Sequence, residues 1–407
     1  MPLLARNTLA IIGAGPVGIE AALATIDAGF DVHAFEQGEP GAHPIAWGHV
    51  RMFTPWRMNV GPATGRHLRA AGWKTPDPES CPTGIELAES YLQPAAALPE
   101  LNERLHGSSQ VVQVGRRAML KGEQIGTGER RRQPFRLLVR DQGGRENFLH
   151  AFAVIDASGV YGQPMRAGEG GLPARQELYL APQMDYHLVD VFGARRPQFA
   201  GKRTAMIGAG ASAATAVADL ARLADESADT KVLWVTRGQD VCAEIPGDPL
   251  AGRRALFARA RELAAGAHPA VQHIAGFEVE GFEYNSATHR YRVTLTRGEE
   301  RRLEEVDRVL IHTGYGPDRS IHRELQIHEC WATEGLMNVS AALLGQTDCL
   351  DAGASGIDVL KSPEPDYYVV GHKSYGRSPH FLLEHGYAQV EAVVAQLAKD
   401  LRQDATA

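Results

Sequence analysis

Apolar and polar positions along the chain fall into a strand–helix–strand rhythm that occurs twice. The first instance opens with the apolar run Thr8–Ile12, continues with a helical pattern from Ile19 to Ala28 that ends at Gly29, and closes with a strand over Asp31–Phe35 that stops at Glu36. The rhythm returns after residue 200 with a strand at Thr204–Ile207, a helix of small residues running to about Leu223, and a strand at Lys231–Val235 that ends in Thr236 and Arg237. Each instance has a similar tail. The first is followed by strand-like runs at Gln110–Val114, Phe135–Val139 and Asn147–Ile155, closing on Asp156-Ala157-Ser158-Gly159. The second is followed by Val271–Ile274, Tyr291–Leu295 and Val306–Ile311, closing on His312 to Asp318. Near the C-terminus Asp366–Val370 reads as a strand, Gly371 as a turn and Phe381–Leu401 as a long helix. Short apolar strands alternating with helices predict parallel sheets covered by helices, and the repeated order predicts two related domains.

The turn between first strand and first helix is Gly13-Ala14-Gly15-Pro16-Val17-Gly18. Each glycine has a physical role in holding a dinucleotide: Gly13 for the tight turn, Gly15 for close approach of the backbone to a pyrophosphate, Gly18 for helix–strand packing. The first amides of the helix offer partial positive charge to the phosphates. Glu36, followed by Gln37, stands where a ribose is held. The second copy reads Gly208-Ala209-Gly210-Ala211-Ser212-Ala213, with the third glycine replaced by an alanine small enough for the same packing. Its strand ends differently. Glu36 would repel a 2′-phosphate, whereas Thr236 and Arg237 offer a hydroxyl and a guanidinium to bind one, so this site is expected to prefer NADPH over NADH. Arg253 or Arg254 is an alternative phosphate contact.

Composition narrows the class. The 407 residues exceed one average domain, 44% are hydrophobic and 22% charged, and the net charge of −7 gives no general attraction to nucleic acid or to anionic membranes. The basic cluster Arg130–Arg132 reads as a solvated hairpin end. There is no apolar stretch of transmembrane length and no room for a signal peptide before the first strand. Cys81, Cys242, Cys330 and Cys349 lie far apart with no Cys-x-x-Cys, which reads as a reduced, cytoplasmic protein lacking a redox disulfide. His322, His328 and Cys330 match no common metal spacing, so no metal is expected.

On Gly13–Gly18 with Glu36, Asp156–Gly159, Lys202–Ala213 and Thr313–Asp318, the chain resembles the flavoproteins with two dinucleotide-binding domains, and within them the flavin-containing and N-hydroxylating monooxygenases. The resemblance implies an α/β fold of two Rossmann-like three-layer domains, the NADPH domain inserted in the FAD domain: 1–165 and 317–407 for FAD, 166–316 for NADPH. It implies FAD at Gly13, Gly15, Pro16, Gly18, Glu36, Gln37, Gly159 and Gly371, and NADPH at Gly208, Gly210, Ser212, Ala213, Arg237 and Gly314. The segment Ala46–Met58 is rich in aromatic and cationic side chains, and Trp47 and Arg51 are candidate flavin neighbours or ordinary packing residues. Where many relatives place an aspartate after the last strand, this chain has Gly371 to Arg377 with no acid. Lys373 is there either a cation beside the flavin or a surface charge. The family linker signature before the second glycine motif is only partly echoed, and His187 is either its histidine or a loop residue.

The chemistry implied is reduction of FAD by NADPH followed by monooxygenation of a nitrogen- or sulfur-containing small molecule through a C4a-peroxyflavin. An alternative is a reductase passing electrons to a quinone or redox protein; a non-enzymatic flavin-bound sensor is a third. Substrate-selecting loops are expected at Gly41–Glu79 and Arg323–Pro365, and a homodimer is compatible with everything above.

Overall fold

The computed structural model describes residues 7–344 and 354–406; Met1–Arg6, Cys349 and part of the Arg323–Pro365 loop lie outside them. By spatial proximity the chain divides into two units: one of residues up to 163 together with residues from 316 onward, the other of residues 164–315.

In the first unit, β1 (Thr8–Ile12) is buried along its whole length and packs against the helix Pro16–Asp27. It pairs in parallel with β2 (Asp31–Phe35), which pairs with the short β3 (Leu105–His106). On its other side β1 pairs with β7 (Ala153–Asp156), and β7 with β15 (Tyr367–Val369), giving the order β15-β7-β1-β2-β3. The helix Pro16–Asp27 follows β1, with Gly15 at its N-cap and Pro16 in its first turn, where the missing amide costs nothing. A separate antiparallel sheet holds β4 (Ser109–Arg116), β5 (Phe135–Asp141) and β6 (Glu146–Ala151). The long C-terminal helix Leu383–Thr406 packs on Pro16–Asp27.

The second unit repeats the plan. β8 (Arg203–Ile207), β9 (Lys231–Thr236), β10 (Val271–Ala275) and β14 (Arg308–Ile311) form a parallel sheet in the order β10-β9-β8-β14. An antiparallel sheet of β11 (Glu278–Asn285), β12 (Arg290–Arg297) and β13 (Glu300–Val306) accompanies it. The α/β fold class follows from these two sheets with their covering helices.

Three sequence expectations need correction. Asn147–Ile155 is not one strand but two, and so is Val306–Ile311. In each case the chain leaves an antiparallel sheet and enters the parallel one at a single residue: the amide of Phe152 donates to the carbonyl of Thr8 (2.9 Å), and that of Asp307 to the carbonyl of Arg203 (2.7 Å). Both acceptors open the central strand of their sheet. The strand-like pattern hides this change of partner, because it continues across each junction without a glycine or proline. Second, Val271–Ile274 belongs to the parallel sheet, beside β9, and is not part of the antiparallel tail.

Third, Arg130–Arg132 is not a solvated hairpin end. Arg130 is 0% exposed, and its guanidinium donates to Glu364 Oε2 at 2.8 Å, while Arg116 donates to Glu364 Oε1 at 2.7 Å. The amide of Gln326 adds a further bond to Glu364 Oε2 at 2.9 Å. Arg131 reaches Asp366 (2.9 Å) and Asp400 (2.6 Å). A buried charge is tolerated only when its partners satisfy it, and Glu364 meets two guanidiniums and an amide. Replacing Glu364 with Gln is expected to cost about 3–5 kcal/mol, since it leaves two buried guanidiniums facing a neutral amide. Urea unfolding measures this, and a loss within about 0.5 kcal/mol would show that the cluster is not a structural tie.

Candidate functional site

The parallel strands of each unit end on a glycine turn, and the two turns share one geometry. Gly13 sits at φ +98°, and a Cβ there would lie 2.8 Å from the Ala157 carbonyl oxygen. At Gly18 a Cβ would lie 1.9 Å from the carbonyl oxygen of Gly13. Gly208, at φ +134°, approaches the His312 carbonyl oxygen in the same way, to 2.2 Å from an added Cβ. Any side chain at these positions would push helix and strand apart. At Gly15 and Gly210 the opposite holds: a Cβ would meet nothing within 4 Å. Each is the N-cap of the helix that follows, so open space lies against the first amides of that helix. Ala213 is fully buried and serves the packing role of the third glycine, with Ser212 in the first helical turn beside it.

The remaining ends of the strands complete each rim. Gly159 (φ +69°) follows β7, and Gly371 (φ +70°) follows β15 with Val17 of the first helix 3.5 Å from an added Cβ. Gly314 (φ +102°) follows β14 and faces the Met165 methyl. The carboxylate of Glu36 accepts from the amides of Ala14 (2.8 Å) and Gly38 (2.9 Å), fixing the end of β2 against the turn. Gln37 beside it is exposed. Pro16 begins the helix.

At the end of β9 the structure separates the candidates. The Thr236 hydroxyl is buried and hydrogen-bonded to the Gly238 carbonyl (2.9 Å) and to His273 Nε2 (2.8 Å), so it is already engaged within the protein. Arg253 is buried and bound to Asp248 at 2.7 and 2.8 Å, and Arg254 donates to the Asp248 carbonyl. Arg237 is exposed, with no hydrogen bond or ion pair to any of the described residues.

Trp47 and Arg51 have partners of their own in the first unit. Trp47 packs against the core of the first unit, its ring 2.5 Å from where a Cβ on Gly84 would stand. Arg51 is exposed, donates to the Cys81 carbonyl and pairs with Glu86 at 3.5 Å. No hydrogen bond among the described residues ties either to Gly13–Gly18. His187 stacks on Tyr315, with centroids 5.6 Å apart and a 3.0 Å hydrogen bond between Nδ1 and the phenol.

Lys373 is neither a surface charge nor a lone cation. It is 2% exposed, and its ammonium donates to Asp156 Oδ2 (2.7 Å) and Ser158 Oγ (3.1 Å). Asp156, the last residue of β7, also accepts from the Tyr367 hydroxyl (2.9 Å) and the Ser158 hydroxyl (2.6 Å). His322 completes the group, with Nδ1 3.6 Å from Asp156 Oδ2 and Nε2 2.8 Å from Glu329 Oε1. Burial by itself would raise the Asp156 carboxyl, but Lys373 and His322 outweigh it and hold the group well below the usual carboxylate range. Burial lowers the His322 imidazole, and the nearby Asp156 carboxylate and the bond to Glu329 more than compensate, so it titrates above its ordinary value. Burial, then the Asp156 charge, push Tyr367 upward, keeping the phenol protonated as a donor.

Sequence reasoning missed Asp156 as an ion-pair partner, along with the roles of Tyr367 and His322. The readable signal was an acid at the end of an otherwise apolar strand, which demands a buried cation.

Comparison with protein-family models and with curated protein sequences gave no match. Among solved structures, the chain is similar to bacillithiol disulfide reductase from Bacillus cereus (17% identity, TM-score 0.68, covering 97% of this chain and 99% of that one). It is similar to ornithine N-hydroxylase from Kutzneria sp. 744 (17%, TM-score 0.63, 97% and 99%), a structure with reduced FAD, NADP⁺ and L-ornithine. Thioredoxin reductase from T. acidophilum aligns at 16% identity and TM-score 0.58, over 95% and 97%. The chain therefore has the fold of the two-domain FAD- and NADPH-dependent oxidoreductases.

His322 has its pKa raised in the folded state, so its contribution to stability is complete below about pH 6.5 and is lost as pH rises through its folded value. His322→Gln is expected to flatten the fall in unfolding free energy above about pH 6.5, read from urea titrations at several pH values. An unchanged pH profile would mean that another group governs it.

Proposed function

We propose that this chain is an FAD-dependent oxidoreductase that takes its electrons from NADPH and uses them to oxygenate a nitrogen- or sulfur-containing small molecule. The observation that carries the cofactor reading is the pair of glycine turns, alike in geometry and opposite in the charge at the following strand end. The space against Gly15 and Gly210, with helix amides beside it, fits a pyrophosphate in each. Glu36 is suited to ribose hydroxyls and unsuited to a 2′-phosphate, whereas Arg237 has an uncommitted guanidinium to bind one. The inserted unit, residues 164–315, is the NADPH domain in this reading, and the remainder is the FAD domain.

When bound, FAD supplies a hydride acceptor and, once reduced, an electron donor to dioxygen. The chain's own contribution is position and electrostatics. Gly159 and Gly371 let the backbone approach a ligand at the ends of β7 and β15. Lys373 enters as half of a buried pair with Asp156, so it acts on a bound flavin as a dipole and not as a bare cation.

Two observations favour oxygenation. The similar folds include an ornithine N-hydroxylase, which makes an amine the first substrate class to test. Cys81, Cys242 and Cys330 are free thiols, and the chain has no Cys-x-x-Cys to exchange with a disulfide. The likeness to a bacillithiol disulfide reductase favours the second reading, a reductase handing electrons to an external acceptor such as a quinone or redox protein.

Arg237→Ala is expected to raise the KM for NADPH, with kcat/KM falling by about 1.5–3 kcal/mol in transition-state terms and NADH kinetics little changed. An unaltered NADPH/NADH preference would remove Arg237 from the site. For the reaction, the holoenzyme is reduced with NADPH and mixed with oxygenated buffer while absorbance is followed. Oxygenation predicts a lag before the oxidised flavin spectrum returns, and peroxide release that falls when an amine substrate is added. Immediate reoxidation with stoichiometric peroxide would overturn it in favour of the reductase.

A further inference from the structure

Within the first unit, the segment from Arg319 to Trp331 together with Lys121 lines a surface cavity of about 360 Å³ that is wide open to solvent. Its chemistry is unlike that of the glycine turns. Lys121, Arg319 and Arg323 bring three permanent positive charges to it, against the single carboxylate of Glu329. Glu329 is already answered by His322 at 2.8 Å. Lys121 spends one donor on the Arg323 carbonyl (2.8 Å), and the nearest carboxylate to the Arg323 guanidinium is Glu324 at 3.9 Å, so both cations keep donors free. Arg319 is held by Glu334 at 3.1 Å and lies 5.2 Å from the ring centroid of Trp331.

Trp331 is the second independent feature. At 86% it is the most exposed large apolar side chain among the described residues, and it stands on the lining of this cavity next to buried Leu325. An indole left in water beside uncommitted cations is a surface with an apolar platform and an anion trap side by side. The volume is that of a small-molecule site.

We propose that this cavity binds a small aromatic carboxylate, its carboxylate held by Lys121 and Arg323 and its ring covering Trp331. The inference does not depend on FAD, NADPH or the reaction. His322 links the site to the interior. Facing it are Asp156, Glu329, Lys373 (through Asp156) and the Tyr367 ring at 5.9 Å. Lys121, Arg319 and Arg323 share the cavity with it. An arriving carboxylate adds one more negative group near the imidazole and favours its protonated form. By reciprocity, protonation of His322 strengthens binding, so affinity falls as pH rises through the His322 transition.

Isothermal titration calorimetry on the full chain tests this, with benzoate as the probe and benzyl alcohol and inorganic phosphate as comparators. Saturable one-to-one binding of benzoate is expected, about tenfold tighter than either comparator. Arg323→Ala and Trp331→Leu, both surface changes, should each weaken benzoate by about tenfold. Affinity should drop between about pH 6 and about pH 8 in the parent and not in His322→Gln. Absence of saturable benzoate binding, or binding in either surface variant as tight as in the parent, overturns the proposal. Phosphate binding as tight as benzoate would also overturn it, since the ring would then contribute nothing.

Discussion

Two buried carboxylates hold the first unit together. Its chain leaves after residue 163 and returns at residue 316, so the returning segment must be tied to a sheet whose other strands were laid down far earlier in sequence. Glu364 and Asp156 make those ties. Glu364, just before β15, is gripped by Arg116 and Arg130 of the antiparallel sheet region. Asp156, at the end of β7, receives Lys373 and Tyr367 from the returning segment and faces His322. Apolar contact alone would let β15 slide against β7, because it tolerates many registers, whereas a buried charge has one acceptable position. The ion pairs therefore specify register where the hydrophobic effect supplies most of the stability.

The same constraint explains why the two units share a plan but differ at one point. Both place a glycine turn after the central strand, and both cross from an antiparallel to a parallel sheet at one residue bonded to the start of that strand. What differs is the fate of the chain beyond the last shared strand. In the first unit β15 adds a fifth strand and brings Lys373 to Asp156; in the second, β14 ends the sheet and the apolar Ile311 occupies the matching position. The shared plan sets the frame, and the additional strand brings an ion pair to the strand ends of the first unit.

Much of this frame was legible from spacing. Both glycine turns, their helices and the strands beside them follow from residue pattern, because each glycine answers a local steric demand visible at its own position. The strand junctions at Phe152 and Asp307 were not legible, since neither carries a glycine or proline and an extended run reads the same whichever sheet it joins. Nor was the burial of Arg130. Three successive arginines look solvated until Glu364, 234 residues away, is placed beside one of them. Thr236 shows the converse failure: its position at the strand end was right, but its hydroxyl had a nearer partner in His273. Local rules are recoverable from sequence; long-range pairing of polar groups is not.

Lys373 shows what that distinction means for chemistry. Read from sequence, it is an isolated cation in a stretch lacking the acid found in many relatives. In the folded chain an acid stands beside it, Asp156 at the end of β7. Asp156 cancels most of the field that a bare ammonium would exert, and its own charge is kept in place by the same pair. A neutral dipole in a dry setting still orients whatever packs against it, yet its effect falls off faster with distance than that of a net charge. The cation at the strand ends of the first unit is thus committed to a carboxylate, whereas Arg237, at the end of β9, has no hydrogen bond or ion pair among the described residues.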